Sequence, residues 1–303
     1  MLYLYDENFS LEQKAKNSLK KFLGRDFGGP KAVFESLRRG LTELDEPFVV
    51  NKKLIQPIDV ACVLSGTRTL QWAIKQKQRG LIKKIVAGPN IAVLPSDNGG
   101  LILSPEINSY LVPAQWSKDC WASLNPEFGK KIRLWPAGVT DQGALADPKG
   151  LALIFQKNAP TEILETVKQT LAVKNISYKL IQYGKFSHQD YLALLGKSRF
   201  MLYLSQSESQ GLALHEAWMA NVPTLVYSQG FIDYGSFKWQ DAKISAPYLT
   251  DECGYFFSGS RDFASSLERF LSDYPAFRPR EYSLNNFTNK LSAQKYLEII
   301  KES

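Results

Sequence analysis

The sequence predicts an α/β protein built from two parallel-sheet units. Two observations carry this. Short apolar strands alternate with helical stretches along the chain, the signature of parallel α/β layers. The 303 residues also suit two domains of roughly 100–200 residues better than one.

The second half gives the clearer pattern. Leu151 to Gln156 (LALIFQ) is a fully apolar strand, followed by a helix from about Thr161 to Val173. Ser177 to Tyr183 is the next strand. Ser187-His188-Gln189-Asp190 resembles a capping box and opens a helix to about Gly196. Phe200 to Leu204 is a strand, and the loop Ser205 to Gln210 leads into a helix from Gly211 to about Ala220. Pro223 to Tyr227 is a further strand. This β-α-β-α-β-α-β order is half of a doubly wound sheet, whose ligand site lies beyond the carboxyl ends of its strands.

The first half is less regular. Its expected strands are Phe48–Val50, Asp59–Leu64, Lys84–Ala87 and Ser109–Val112. Its expected helices are Leu11–Leu23, Lys31–Leu41, Thr69–Gln78 and Trp116–Leu124, with a Gly28-Gly29-Pro30 turn before the second. A Gly/Ala/Asp/Pro-rich stretch from Asp141 to Gly150 reads as the linker. The expected division is 1–143, 144–282, and a terminal segment 283–303 with a helix from about Leu284 to Lys301.

Composition excludes several classes. Apolar and charged fractions are those of an ordinary globular protein, and no run approaches the roughly 18 apolar residues of a membrane span. The first residues lack a basic region and carry acid early, so no secretory signal is expected and the chain reads as cytoplasmic. Cys62, Cys120 and Cys253 are far apart with no CxxC spacing, which gives no support for a zinc or redox site. The net charge of +7 is too mild to indicate nucleic acid, and no recognition motif accompanies it. Leu11, Ala15, Leu19, Phe22 and Leu23 form an apolar stripe flanked by lysines. Such a helix either docks on its own domain or lies on an anionic membrane, making the protein membrane-peripheral.

The chemistry concentrates in Ser205-Gln206-Ser207-Glu208-Ser209-Gln210-Gly211-Leu212 and the helix that follows. A strand ends, a polar loop intervenes, and a helix begins at a glycine. The helix start offers unpaired N–H groups and a positive dipole end, suited to a phosphate. Gly211 lets backbone approach a ligand closely. Glu216 sits in a helix apolar on nearly all sides, so its carboxylate needs partners. Those partners are ligand hydroxyls or a basic residue from a neighbouring helix. Glu208 stands at the helix mouth.

Seven residues separate Glu208 from Glu216. The segment SESQGLALHEAWMANVPTLV resembles the E-x7-E signature of retaining GT-B glycosyltransferases of the family-four type, commonly close to E-x-F-G-L-x-x-x-E-A-M-A-x-G-x-P-V. It keeps both glutamates, Gly211-Leu212, Glu216-Ala217, Ala220 and Val222-Pro223. It departs at Gln210 (usually aromatic), Trp218 (usually Met) and Asn221 (usually Gly). Leu134-Trp135-Pro136-Ala137-Gly138-Val139 is similar to the family's segment entering the linker. Gly24 to Pro30 looks like its first-domain glycine-rich loop.

The resemblance implies two Rossmann-like domains facing across a cleft, an acceptor domain followed by a donor domain, with the C-terminal helix packing back toward the first. It implies sugar transfer from a nucleotide-sugar donor to a glycan, lipid-linked or small-molecule acceptor, with anomeric retention and with neither metal nor cofactor. By residue match, Glu216 binds the donor ribose and Glu208 the transferred sugar. The loop and helix start at Ser209, Gln210, Gly211 and Leu212 hold sugar and diphosphate through backbone amides. Lys157, after the first strand of the second domain, is either the cation facing the leaving diphosphate or a loop lysine. Gly184-Lys185-Phe186 either frames the base or is a plain turn. Gly28 and Gly29 either approach the phosphates or make only a turn. Many relatives use a first-domain histidine, which this chain lacks. His188 reads as a surface residue of a first helical turn, and His215 points away from the Glu216 side. Rival readings are a nucleotide-sugar epimerase of the same architecture and a non-catalytic nucleotide-sugar-binding protein.

Overall fold

A computed structural model describes residues 1–9 and 28–303. The expected helix over 11–23 and the residues from Gly24 to Phe27 lie outside the described residues. The chain divides into two units, Met1–Gly138 with Asn289–Ser303, and Val139–Thr288.

The first unit contains β1 (Leu2–Tyr5), α1 (Gly29–Glu43), β2 (Phe48–Val50), β3 (Ile58–Ser65), α2 (Thr67–Gln78), β4 (Ile82–Asn90), β5 (Ser109–Val112), α3 (Gln115–Leu124) and β6 (Ile132–Leu134). Its six strands pair in parallel in the order β2-β1-β3-β4-β5-β6. Strand β1 is absent from the sequence-based expectation; its place is set by parallel pairing on both sides. Leu4 pairs with Val50 on one side and Cys62 on the other. The terminal helix, Asn289–Glu302, belongs to this unit and packs along α1. Gly40 permits the approach, since a Cβ there would collide with the Asn289 carbonyl. Trp135 fixes the same helix by donating its Nε1–H to the Ser292 carbonyl at 2.9 Å.

The second unit contains β7 (Leu151–Gln156), α4 (Thr161–Val173), β8 (Tyr178–Gln182), α5 (His188–Leu195), β9 (Ser198–Leu204), α6 (Leu212–Met219), β10 (Thr224–Tyr227), a hairpin of β11 (Phe231–Asp233) and β12 (Lys238–Gln240), then β13 (Gly254–Phe257), α7 (Phe263–Asp273) and α8 (Pro279–Asn286). Its sheet is parallel, in the order β13-β10-β9-β7-β8. Alternate residues of β7 face opposite sides. Ala152 and Ile154 join a core with Val167, Phe200 and Phe263, while Leu153 and Phe155 join one with Tyr191, Tyr203 and Trp218. Covered on both faces, β7 therefore reads as an unbroken apolar run. Each large side chain so buried contributes about 1.5–3 kcal/mol.

The terminal helix differs from expectation. One helix from about Leu284 is replaced by two, broken at Phe287 and Thr288. Phe287 is buried against His215 and Tyr248, and its carbonyl accepts from the Val139 N–H at 2.8 Å. That tertiary anchoring overrides a helical periodicity that looks continuous in sequence. Among the described residues no helix is long and apolar enough to cross a membrane.

Candidate functional site

The second sheet reverses its winding between β7 and β9, since β7 pairs with β8 on one side and β9 on the other. Connections leaving the two strands there diverge to opposite faces, which opens a crevice beyond their carboxyl ends. Lys157 and the loop bearing Glu208 lie at this point. Lys157 directly follows β7, and its N–H donates to the Leu204 carbonyl at the end of β9. The loop Ser205 to Gln210 follows β9 and runs into α6.

Lys157 and Glu208 meet here. The ammonium Nζ is 2.9 Å from both carboxylate oxygens of Glu208. Glu208 is buried, and Oε1 also accepts from the Tyr203 hydroxyl at 2.7 Å and the Ser205 hydroxyl at 2.9 Å. Hydrogen bonds to a charged group contribute about 1.5–3 kcal/mol each, offsetting desolvation of the carboxylate. Burial, then the adjacent Glu208 charge, hold the Tyr203 hydroxyl far above the ordinary phenol range, so it remains a donor. Lys157 also lies 4.9 Å from the centre of the Tyr183 ring, a cation–π contact at the open side of the site. Sequence reasoning misses Tyr203, because a tyrosine inside an apolar strand reads as core.

The loop is braced from two sides. The Glu208 N–H donates to the Ile244 carbonyl at 2.8 Å, and the Ser245 hydroxyl to the Gln206 carbonyl at 3.0 Å. Asn158 Oδ1 accepts from the Gln206 N–H at 2.8 Å. Gln210 is buried and Ser209 exposed. Gly211 caps α6 with φ +82°, a left-handed conformation that side chains resist. A Cβ there would press to 3.0 Å from Leu214 Cδ1. The departure from the family pattern at Asn221 has the same logic: its φ is +66°, which asparagine tolerates in place of glycine. Trp218 is fully buried and donates to Thr224 Oγ1 at 3.0 Å.

Leu212, Ala213 and Glu216 are the incompletely buried residues of α6 and share one face. Glu216 is the charge on that face. Its partner is neither arginine nor lysine but His188, whose Nε2 lies 2.7 Å from Oε1. A carboxylate oxygen can only accept, so Nε2 carries the hydrogen. This corrects the reading of His188 as a plain surface residue. Ser187 caps α5 and accepts from the Asp190 N–H, while Asp190 returns a bond to the Ser187 N–H, which fixes the first turn that carries His188. The capping box is legible in the sequence, but the direction of the imidazole depends on where α6 lies. Tyr191 ties the two helices together, its hydroxyl donating to the Ala213 carbonyl.

His215 does point away from Glu216. It is fully buried against Trp218, Tyr248 and Phe287, and burial pushes its pKa down to about 3.

Gly184 has φ +79° in the turn closing β8, where a notional Cβ would meet nothing among the described residues. Phe186 is half-buried, edge-on to Phe155 at 5.5 Å. Gly28 and Gly29 belong to the first unit, Gly28 capping α1. A Cβ on Gly29 would meet nothing among the described residues.

No family model matches the chain, and no curated protein matches it. Solved structures do. The chain is similar to the apo lipopolysaccharide outer core galactosyltransferase WaaB, with a TM-score of 0.58 and 12% identity over 89% of this chain and 80% of that one. It is similar to the catalytic domain of starch synthase IV from Arabidopsis thaliana bound to ADP and acarbose, at TM-score 0.55 and 11% identity over 91% and 78% of the two chains. It is also similar to a point mutant of S. aureus TarM in complex with fondaparinux, alpha-GlcNAc-glycerol and UDP, at TM-score 0.54 and 12% identity. That match covers 79% of this chain, which spans only 55% of TarM. Two parallel-sheet, Rossmann-like units and these likenesses give the chain the GT-B fold.

Proposed function

We propose that the chain is a retaining glycosyltransferase whose second unit holds a nucleotide-sugar donor. The observation that carries this is the placement of Lys157 and Glu208 at the switch point of the second sheet, beside the start of the helix that bears Glu216. The likeness to structures holding UDP, or ADP with acarbose, supports a nucleotide donor.

In this reading, chemistry is limited by charge. The sugar becomes positive at its anomeric carbon as the diphosphate leaves with negative charge. Lys157 turns from Glu208 to the diphosphate, and the α6 N-terminal amides add donors to the same anion. Glu208 keeps the Tyr203 and Ser205 bonds and gives the acceptor sites vacated by Lys157 to a sugar hydroxyl. Glu216 accepts from the ribose hydroxyls. The acceptor hydroxyl attacks from the leaving-group face, and the departing phosphate takes its proton.

Release of nucleoside diphosphate from UDP-, GDP- and ADP-sugars tests the reading, with the product anomer assigned by proton NMR. Glu216→Ala is expected to raise donor KM, and Glu208→Gln to lower kcat by about a hundredfold. The product keeps the donor's anomeric configuration. Wild-type kinetics in both variants overturn the site, and an inverted product overturns the mechanism.

A further inference from the structure

His188 is the side-chain partner of Glu216 among the described residues. Four observations converge on it. Its Nε2–Oε1 distance of 2.7 Å is that of a strong, charge-assisted bond. Both side chains are partly open, at 27% and 19% exposure, so the pair is not sealed in the core. The Ser187–Asp190 capping box fixes the backbone that bears the imidazole. The Tyr191–Ala213 bond holds α5 against α6, so the distance between the two side chains is set by the fold.

A carboxylate has about four lone-pair positions in its plane. A donor held on Oε1 restricts the rotation of that plane and leaves Oε2 to accept from other donors. Ligand-binding carboxylates and imidazoles are commonly oriented by such outer partners, and loosening one degrades recognition without touching ligand.

We infer that His188 is a positioning residue for ribose recognition: by donating Nε2–H to Oε1, it orients Glu216 so that the carboxylate accepts from the ribose hydroxyls of the nucleotide. The inference rests on the ribose role proposed for Glu216. It assigns to α5 a part in telling ribonucleotides from nucleotides without ribose hydroxyls.

The test is titration calorimetry with UDP, GDP and ADP and with their 2′,3′-dideoxy analogues. The readout is the ribo-over-dideoxy preference for whichever base binds, not the affinity itself. Wild-type protein is expected to prefer the ribonucleotide at least tenfold, and Glu216→Ala to abolish the preference. His188→Leu removes the donor at similar bulk and should reduce the preference to threefold or less. Dideoxynucleotide affinity should hold within about twofold. His188→Gln places an amide N–H near the Nε2 position and should restore most of the preference. If the Leu variant does not fold, His188→Asn serves in its place, because its amide stops short of Glu216.

A His188→Leu protein that keeps the wild-type preference while Glu216→Ala loses it overturns this inference and leaves the ribose site standing. Equal weakening of both nucleotides by His188→Leu also overturns it, since that marks a structural role. No preference in wild type, or full preference in Glu216→Ala, overturns the ribose site and this inference with it.

Discussion

Lys157 Nζ lies 2.9 Å from both carboxylate oxygens of Glu208, although the two are 51 positions apart in the chain. The parallel pairing of β7 with β9 creates the juxtaposition, because the last residues of both strands emerge at one edge. A buried carboxylate and the cation that neutralises it thus stand at the reversal of the sheet. In the proposed function the same ammonium turns from Glu208 to the diphosphate of the donor.

Breaking the pair tests this coupling. Lys157→Met leaves Glu208 buried beside Tyr203 and Ser205 without its cation, which should cost roughly 1–3 kcal/mol. Urea unfolding measures it. The double variant Lys157→Met/Glu208→Gln should recover part of the loss, because the uncompensated charge is gone. Additive losses would show that the two side chains do not act as a pair.

Acid stability should depend on His215. The unfolded chain binds a proton at this residue below about pH 6.5. In the folded protein burial holds its pKa at about 3. Between those values the unfolded state binds more protons, so stability falls as pH drops through the window. By about pH 3 the loss amounts to several kcal/mol. His215→Leu should keep or raise stability at pH 7, since neither ring nitrogen has a hydrogen-bond partner among the described residues. It should also flatten the slope between pH 6.5 and 4 relative to wild type, read from urea midpoints. An unchanged slope contradicts the assignment.

Gly211 should not tolerate a side chain. At φ +82° an alanine pays about 1–2 kcal/mol, and its Cβ presses on Leu214. The strain falls between Glu208 and the first amides of α6. Gly211→Ala should therefore lower the unfolding midpoint by several degrees and weaken nucleotide binding together. Loss of stability with unaltered binding would separate the helix start from the site.

Gly40 supplies a control in the other unit. Gly40→Ala drives a methyl into the Asn289 carbonyl, which should cost at least about 2 kcal/mol by overpacking. The first unit should then unfold earlier in calorimetry, with nucleotide affinity of the second unit retained.

Much of the architecture is legible in the sequence because buried parallel strands are apolar on both faces. β7, β9 and β10 announce themselves in this way, and their alternation with helices fixes the class. Glu216 is legible as a candidate because a charge in an apolar helix needs partners, Glu208 by its place at the helix mouth and the E-x7-E pattern, and Lys157 through the resemblance. What sequence does not give is who those partners are. The pairing of Lys157 with Glu208 requires the register of β7 on β9. The bond from His188 to Glu216 requires the packing of α5 on α6, and a histidine at a helix start otherwise looks solvated. β1 and the break at Phe287 escape a sequence reading for the same reason. A four-residue strand and a one-residue anchor are specified by tertiary contacts, not by local period.

The measurement that bears most directly on the central claim is thermal unfolding with a panel of UDP-, GDP- and ADP-sugars, run on wild type and Glu216→Ala. Ligand at about 100 times its dissociation constant adds roughly 2.7 kcal/mol to stability. For a protein of this size that is on the order of 2–4 °C per kcal/mol. A rise of several degrees with one donor, absent in Glu216→Ala, is the result expected of a nucleotide-sugar site on α6. An equal rise in the variant, or no rise with any donor, contradicts it.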